Sequence, residues 1–211
     1  MTTVSRSLSY DAPSSAIVFR IVWYAAALRP GVILVEHSEA ESTSFDATAR
    51  FQLELKDKKV ELTAHITESS KSVELSASSD VDEATLQSYV DDLVETIESL
   101  IFKFNALDES SQQRVGRALL AKSCWDRIIS GILQRHPVSD IYFQLAHGRE
   151  MIIKATEGEE VPALALTTSA WISNIEKLPK DEPLPAGTGS QLAKKCIEWK
   201  KETLEIIRRY L

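Results

Sequence analysis

The sequence predicts an α+β protein in which an antiparallel β-meander of about four strands, plus a second hairpin, packs against two long central helices and a C-terminal helix. Three observations support this prediction. Apolar and polar residues alternate between residues 49 and 77, which is the period of a strand with one buried face. The apolar period then changes to about 3.6 residues over positions 86–133. The same helical period returns over residues 190–211.

The meander is predicted from two apolar runs separated by a turn at Asp57-Lys58. We expect the runs to pair as a hairpin, because one register places every apolar side chain on the same face. The expected pairs are Leu55 with Val60, Leu53 with Leu62 and Phe51 with Ala64. The predicted buried face holds Phe51, Leu53, Leu55, Leu62 and Ile66, and the outward face holds Gln52, Glu54, Thr63 and His65. A third strand over residues 73–77 completes the meander, and His65 is expected opposite Arg50 on its wet face.

Two long helices are predicted after the meander. The first is capped by Ser79 or Asp80. Its apolar stripe comprises Leu86, Val90, Leu93, Ile97, Leu100 and Phe104. The second begins at a capping box of Ser110 and Gln113 and ends at His136-Pro137. Its stripe comprises Val115, Leu119, Trp125, Ile128, Ile129, Ile132 and Leu133. The second hairpin is expected from residues 141–146 and 150–155, which flank the turn-like triplet His147-Gly148-Arg149.

The chain is expected to be organised around one domain. Residues 1–14 are Ser-rich and lack periodicity, which predicts a mobile N-terminal tail. Residues 15–178 form the predicted α+β domain, residues 179–190 a Pro/Gly linker, and residues 191–211 a C-terminal amphipathic helix that docks on the domain or on a partner. Within the domain, residues 15–28 are apolar at nearly every position, which fits a central strand or a buried helix equally well.

Composition and charge narrow the class of protein. The chain has 211 residues, a net charge of −7 and a pI of about 5.2, and this acidic balance argues against a main task of binding nucleic acid. The apolar run at residues 16–28 is interrupted by Arg20 and is too short to span a membrane. Cys124 and Cys196 lie in predicted helices and are expected to be reduced, buried thiols, which suits a cytoplasmic location.

The charge is unevenly distributed. Residues 79–109 carry nine acids and one base, whereas residues 110–136 and 190–211 carry an excess of bases. We interpret this pattern as an acidic helix lying antiparallel beside a basic one. An acidic face that binds a partner is the alternative interpretation.

No catalytic signature is found in the sequence. The GxSxG, HExxH, CxxC and EF-hand patterns are absent. The glycine-rich run at residues 187–190 lacks the P-loop and dinucleotide patterns, and we interpret it as a linker in which Ser190 caps the last helix. The four histidines lack the spacing of a metal site. We therefore expect no enzyme activity, no metal and no cofactor.

The sequence thus predicts a non-catalytic protein–protein interaction protein: an adaptor, assembly factor, chaperone-like escort or complex subunit. Its partner is expected to be another protein or a second copy of the chain. The candidate partner-binding residues are Asp91, Asp92, Glu95, Trp199, Ile206 and Tyr210. One alternative is a small-molecule-binding protein or an enzyme with a pocket near His147, Arg149 and Asp140. The other is a nucleic-acid accessory protein that would use Arg114, Arg117, Lys122, Lys194, Lys200 and Lys201.

Overall fold

The described strands all lie in the first half of the chain, which also contains two helices. The computed structural model describes residues 2–11, 14–28, 33–38, 46–55, 57–157 and 162–211, with the backbone alone at 33–38, 53 and 54. The chain divides into two compact units, Met1–Ala106 (unit 1) and Leu107–Leu211 (unit 2). Every described strand lies in unit 1, whereas the described elements of unit 2 are helices. The predicted α+β class is confirmed, and the domain expected over residues 15–178 spans the division between the two units.

Unit 1 is a sheet with helices on one face. In chain order its elements are β1 (Thr2–Ser9), α1 (Ser15–Ala27), β2 (Ile33–Ser38), β3 (Ala47–Leu55), β4 (Lys58–Thr67), β5 (Ser72–Ser79) and α2 (Glu83–Ala106). The described strands form one five-stranded sheet in the order β1-β5-β4-β3-β2, and each neighbouring pair is antiparallel. Helix α1 packs on β3 and β4, and α2 packs on β1 and β5. One layer of apolar side chains is thereby covered.

The strand pattern of the meander is confirmed, but its predicted register is wrong by two residues. Phe51 pairs with Leu62, and Leu55 already pairs with Lys58. Asp57 adopts a left-handed φ of 59°, so the chain reverses more tightly than the sequence suggested. Because the error is an even number of residues, the two faces keep their predicted occupants.

The burial of the described side chains confirms these faces. Phe51, Leu62 and Ile66 are buried and Leu55, at the end of its strand, is only half-buried. On the other face Gln52 and His65 are exposed and Thr63 is half-buried. The side chains of residues 53 and 54 lie outside the described ones. His65 pairs with Thr48 rather than with Arg50, and its Nδ1 lies 3.0 Å from the Thr48 hydroxyl.

The N-terminal segment forms a strand, so the prediction of a mobile tail is wrong. β1 pairs with β5 over eight residues, from Thr2 with Ser79 to Ser9 with Ser72. The strand carries only two inward apolar side chains, Val4 and Leu8, each 5% exposed. Polar residues occupy its other positions, and so the strand lacks the apolar content by which a sequence pattern is recognised.

The apolar segment at residues 15–28, for which strand and helix were equally open, is helix α1. Its middle is covered on all sides: Phe19, Ile21, Val22 and Trp23 are at most 2% exposed. Contacts with the sheet on one side and with α2 on another account for this burial. A helix that is apolar all round is stable only where neighbours surround it in this way.

Unit 2 is a set of helices packed around two tryptophans. Its described elements are α3 (Glu109–Leu133), α4 (Val138–Ala155), α5 (Ala163–Ile175) and α6 (Ala186–Arg208). Helix α3 packs against α4 and α6, and α5 packs against α4. The rings of Trp125 and Trp199 lie 5.5 Å apart between α3 and α6. Each indole donates a hydrogen bond, Trp125 to Thr203 at 3.0 Å and Trp199 to Thr167 at 2.9 Å.

The second hairpin was predicted wrongly, because residues 138–155 form the single helix α4. Gly148 suggested a turn, yet it lies on the buried face of the helix. A Cβ at this position would lie 2.7 Å from the Trp125 ring, so glycine is required by close packing rather than by a turn. The apolar residues on either side follow the helical period: Ile141, Leu145, Ile152 and Ala155 are buried.

Three predicted boundaries also need correction. The residue that caps α2 is Asp82, which accepts the Thr85 N–H at 2.9 Å; the expected cap Ser79 instead bonds to Lys59 and Val81. Helix α3 is capped by Asp108, whose carboxylate accepts the Ser111 N–H, rather than by a box at residues 110–113. Helix α6 begins at Ala186, directly after Pro185, so the predicted linker at residues 179–190 ends inside a helix.

A pair of neighbouring substitutions tests the two faces of the sheet. Leu62→Ala should lower the free energy of unfolding by about 2–5 kcal/mol, because it opens a cavity under the helices. Thr63→Ala removes a methyl and a hydroxyl from the uncovered face and should change it by less than about 0.5 kcal/mol. Urea denaturation measures both values, and equal losses would contradict the assignment of the faces.

Candidate functional site

The acidic flank of α2 is the first feature of the candidate site. We use this name for Asp91, Asp92, Glu95 and Glu98, which are exposed on the side of the helix away from the sheet. Asp91 lies nearest the sheet: it accepts hydrogen bonds from Gln87 at 2.8 Å and from the Arg6 guanidinium of β1 at 2.7 Å. These interactions, with Gln87 the stronger cause, hold the pKa of Asp91 below its usual value.

The other acids of this flank lack such counter-charges. Among the described residues, no ion pair involves Asp92, Glu95 or Glu98. Glu95 is three residues from both Asp92 and Glu98, and like charges at this spacing destabilise a helix. The helix therefore retains an electrostatic repulsion that no described side chain relieves.

A shallow groove lies beside the acidic flank. It has a volume of about 420 Å³ and opens between the end of β3 and the first turns of α2. Its described lining residues are Leu55, Ala84, Thr85, Ser88, Tyr89 and Asp92. Small side chains line most of the helix wall, so the groove is open rather than enclosed, and Asp92 connects it to the acidic flank.

The uncovered face of the sheet is a surface of hydroxyl groups. Strand alternation places Thr3, Ser5, Ser7, Ser72, Ser76, Ser78, Thr63, Thr67 and Thr48 on this face. Cross-strand neighbours bond to one another, as the Ser5 and Ser76 hydroxyls do at 3.2 Å. Only a few charged residues interrupt it, among them Glu61 and Glu74. The described side chains of this face offer polar contacts and form no apolar patch.

The outer edge of β1 is the second feature of the candidate site. The N–H of Tyr10 donates to Lys71 at 2.9 Å, which continues the β1–β5 register by one pair. Since bonded pairs alternate along an antiparallel ladder, the even-numbered residues of β1 bond to β5. The main-chain groups of Thr3, Ser5 and Ser7 then point away from the sheet. Among the described residues, no strand pairs with them.

The excess negative charge of the protein belongs to unit 1. This unit contains 17 Asp and Glu and nine Lys and Arg, whereas unit 2 contains 14 acids and 15 bases. The sequence interpretation that α2 lies beside a basic helix stays a prediction, because the basic segment at residues 110–136 belongs to unit 2. Inside unit 1 the helix packs on β1, β5 and α1, and no described side chain of this unit forms an ion pair with Asp92, Glu95 or Glu98.

The predicted residues in α6 are placed differently from those in α2. Trp199 is 2% exposed and Ile206 is buried, so both are part of the packing of α6 within unit 2. Tyr210 is half-buried near the end of the chain. The structure thus brings Asp91, Asp92 and Glu95 together on one surface, and it does not bring the α6 residues to a comparable one.

Unit 2 contains a buried ion cluster that sequence reasoning missed. Asp126 of α3 is bonded to Lys122 at 2.8 Å and to Lys200 of α6 at 2.5 Å. The Lys122 side chain is 1% exposed and that of Asp126 is 11% exposed. Burial alone would raise the pKa of Asp126, but the two ammonium groups outweigh it and lower that pKa. The i, i+4 spacing of Lys122 and Asp126 was the available signal.

Side chains considered for other functions are engaged in structural contacts. Arg149 lies in helix α4, not in a turn, and donates to Ala165 and Ser169 of α5. The His147 ring stacks on Phe143 in the same helix. Arg114 and Arg117 donate to main-chain carbonyls at the end of α4, which stabilises the helix terminus.

Both cysteines lie in helices of unit 2. Cys124 and Cys196 are buried thiols that form no disulfide, and burial raises the pKa of the Cys196 thiol. Among the described residues, no group of three His, Cys, Asp or Glu side chains lies close enough to hold a metal ion.

Comparisons of the chain with protein-family models, with curated proteins and with solved structures return no significant match. None of the helices in the described residues combines the length and the hydropathy needed to cross a membrane.

The buried ion cluster makes a pH-dependent prediction. Asp126→Asn should lower the free energy of unfolding by about 3–5 kcal/mol near pH 7, because it leaves Lys122 buried without its carboxylate. The folded-state pKa of Asp126 lies below its unfolded value, so its stabilisation is present above the unfolded pKa, about 4, and is lost as the pH falls through the folded pKa. The difference between the two proteins should therefore shrink in acid.

Denaturation followed by tryptophan fluorescence at several pH values measures this difference, with the exposed Asp181→Asn as the control. The control should stay within about 0.5 kcal/mol of the wild type. A loss that is constant between neutral and strongly acidic pH would contradict an ionised Asp126 in the folded protein.

Proposed function

We propose that this protein is a non-catalytic protein–protein interaction protein and that unit 1 binds a basic segment of its partner. The observation that carries the proposal is the acidic flank of α2, which stands beside the open edge of β1. Three of its four carboxylates lack a described counter-ion. A partner with Lys or Arg side chains would relieve their repulsion and be attracted over a distance of about 10 Å.

The energetics of the flank support this proposal. Like charges at helical spacing lower stability, so an arrangement without local compensation is expected where a surface serves binding rather than folding. The uncovered face is polar and the groove is shallow. These features suit contact with an extended surface better than enclosure of a small substrate.

The same reasoning favours a role without catalysis, cofactor or metal. Arg149 and His147, which were the sequence candidates for an enzyme pocket, are engaged in contacts within and between helices. We therefore propose an adaptor, assembly factor, escort or complex subunit. The buried thiols of Cys124 and Cys196, which form no disulfide, favour work in a reducing compartment such as the cytoplasm.

A matched pair of double variants tests the proposal. Asp92→Asn with Glu95→Gln removes two charges from the acidic flank, and Glu61→Gln with Glu74→Gln removes two from the uncovered sheet face. Proteins captured from cell extract by the wild type are identified by mass spectrometry and then bound in purified form. We expect the first variant to lower affinity for the true partner at least tenfold and the second to change it less than twofold.

Stability and salt provide the controls for this experiment. The flank variant should melt no lower than the wild type, because it removes repulsion. Partner affinity should fall as salt is raised from about 0.1 to 0.5 M, since exposed charges are screened. Equal loss of binding in both variants, or binding indifferent to salt, would contradict a docking surface on α2.

A further inference from the structure

We propose that the partner segment is an extended, basic strand that adds to the outer edge of β1 in antiparallel orientation and becomes the sixth strand of the sheet. Its Lys or Arg side chains, at alternate positions, would lie on the helix side under the acidic flank of α2. This inference rests on the proposed function and specifies how the partner binds.

The edge of β1 has the geometry that strand addition requires. Eight residues pair with β5 without a register shift, so the opposite side presents a regular row of main-chain groups from Thr3, Ser5 and Ser7. The strand contains no proline. A long, flat, unpaired edge is a template for another strand.

The other edge of the sheet is less suitable. β2 has six residues, and its pairing with β3 shifts register between Leu34 and Glu36. A bulge of this kind twists an edge and interrupts its row of donors and acceptors, which is a common protection against strand addition. The two edges therefore differ, and β1 is the one left regular.

The charge of the added strand follows from the position of α2. Because α2 packs on β1 and β5 and follows β5 through a short connection, it runs in the same direction as β1. Asp91 is level with Arg6, since the two are ion-paired. Two residues of strand rise about 6.6 Å, which equals four to five residues of helix. The next residue of β1 that faces the helices after Arg6 is Leu8, and it therefore lies level with Glu95 of α2. Glu98 lies about one helical turn further along.

Arg6 itself illustrates the chemistry of this edge. Its Nε donates to Asp91 at 2.7 Å, and its Nη1 donates to the outward carbonyl of Ser5 at 2.9 Å. A guanidinium thus already bridges the sheet edge and the acidic flank. An incoming basic strand would replace the Arg6 bond to Ser5 by a main-chain bond and supply charge to the remaining acids.

A second copy of this chain is a poorer occupant. Two β1 strands paired about a two-fold axis would bring two α2 helices to the same seam. Each helix presents its acidic flank there, and each β1 contributes Arg6 as its only base. Like charges on both sides disfavour that pairing, whereas a basic strand from another protein complements them.

The test uses the full chain and an acetylated eight-residue peptide that alternates lysine and threonine, with a glutamate–threonine peptide as the control. We expect the lysine peptide to bind at least tenfold more tightly. With lysines on the helix side, the threonine N–H groups point to β1. N-methylation of the threonines should therefore abolish binding, whereas N-methylation of the lysines should change it less than threefold. The protein is unchanged in this comparison, so folding cannot explain the result.

A protein variant provides the second arm. Ser7→Pro removes an outward N–H without breaking a β1–β5 bond and should weaken the lysine peptide at least tenfold; Ser7→Ala keeps the N–H and should bind as the wild type does. Binding that is indifferent to threonine N-methylation would overturn strand addition and leave the proposed acidic docking surface standing. No binding of the lysine peptide, or self-association on a sizing column that Ser7→Pro removes, would also overturn the inference.

Discussion

The structure of unit 1 depends on the alternation of side chains along its strands. Strands β1, β3, β4 and β5 each offer one apolar row, and α1 and α2 cover the layer that these rows form together. Since every second residue points the other way, the opposite face is left polar and in contact with solvent. The two helices cover one face of the sheet and not its edges. The sheet therefore keeps two outermost strands, β1 and β2.

The acidic flank follows from this arrangement. Helix α2 buries one stripe against β1 and β5, and its remaining surface is free to carry charge. The helix contains five acids and one lysine. Packing requires apolar residues only in the buried stripe and leaves the other positions unconstrained. Asp92, Glu95 and Glu98 repel one another, and no described side chain forms an ion pair with them. The open edge and the charged helix border each other at the Arg6–Asp91 ion pair.

Sequence patterns predicted α2, β3 and β4, and they missed β1 and α4 for two different reasons. The stripe of α2 and the faces of β3 and β4 follow periods that dense apolar content makes visible. β1 was not predicted because Val4 and Leu8 are its only inward apolar residues. α4 was not predicted because Gly148 suggests a turn when its contact with Trp125 is unknown. The hairpin register depends on the conformation of Asp57, which composition does not reveal.

The candidate site was predicted in part, for a similar reason. The charge run of α2 identified Asp91, Asp92 and Glu95 directly. An apolar stripe does not reveal what covers it, so docking of the last helix on its own domain or on a partner stayed open and Trp199 and Ile206 were candidates for binding a partner. In the structure α3 and α5 surround the Trp199 ring. The sequence could not predict that β1 lies at an edge of the sheet. That prediction requires the order of the strands, which depends on long-range pairing.

The most direct test of this account is amide hydrogen exchange measured residue by residue along β1 in the free protein. An open outer edge predicts alternation: the N–H groups of Val4, Arg6 and Leu8, bonded to β5, exchange slowly, and those of Thr3, Ser5 and Ser7 exchange rapidly. Uniformly slow exchange would mean that something already covers the edge. Uniformly rapid exchange would mean that β1 is not part of the sheet, and either result would contradict the account.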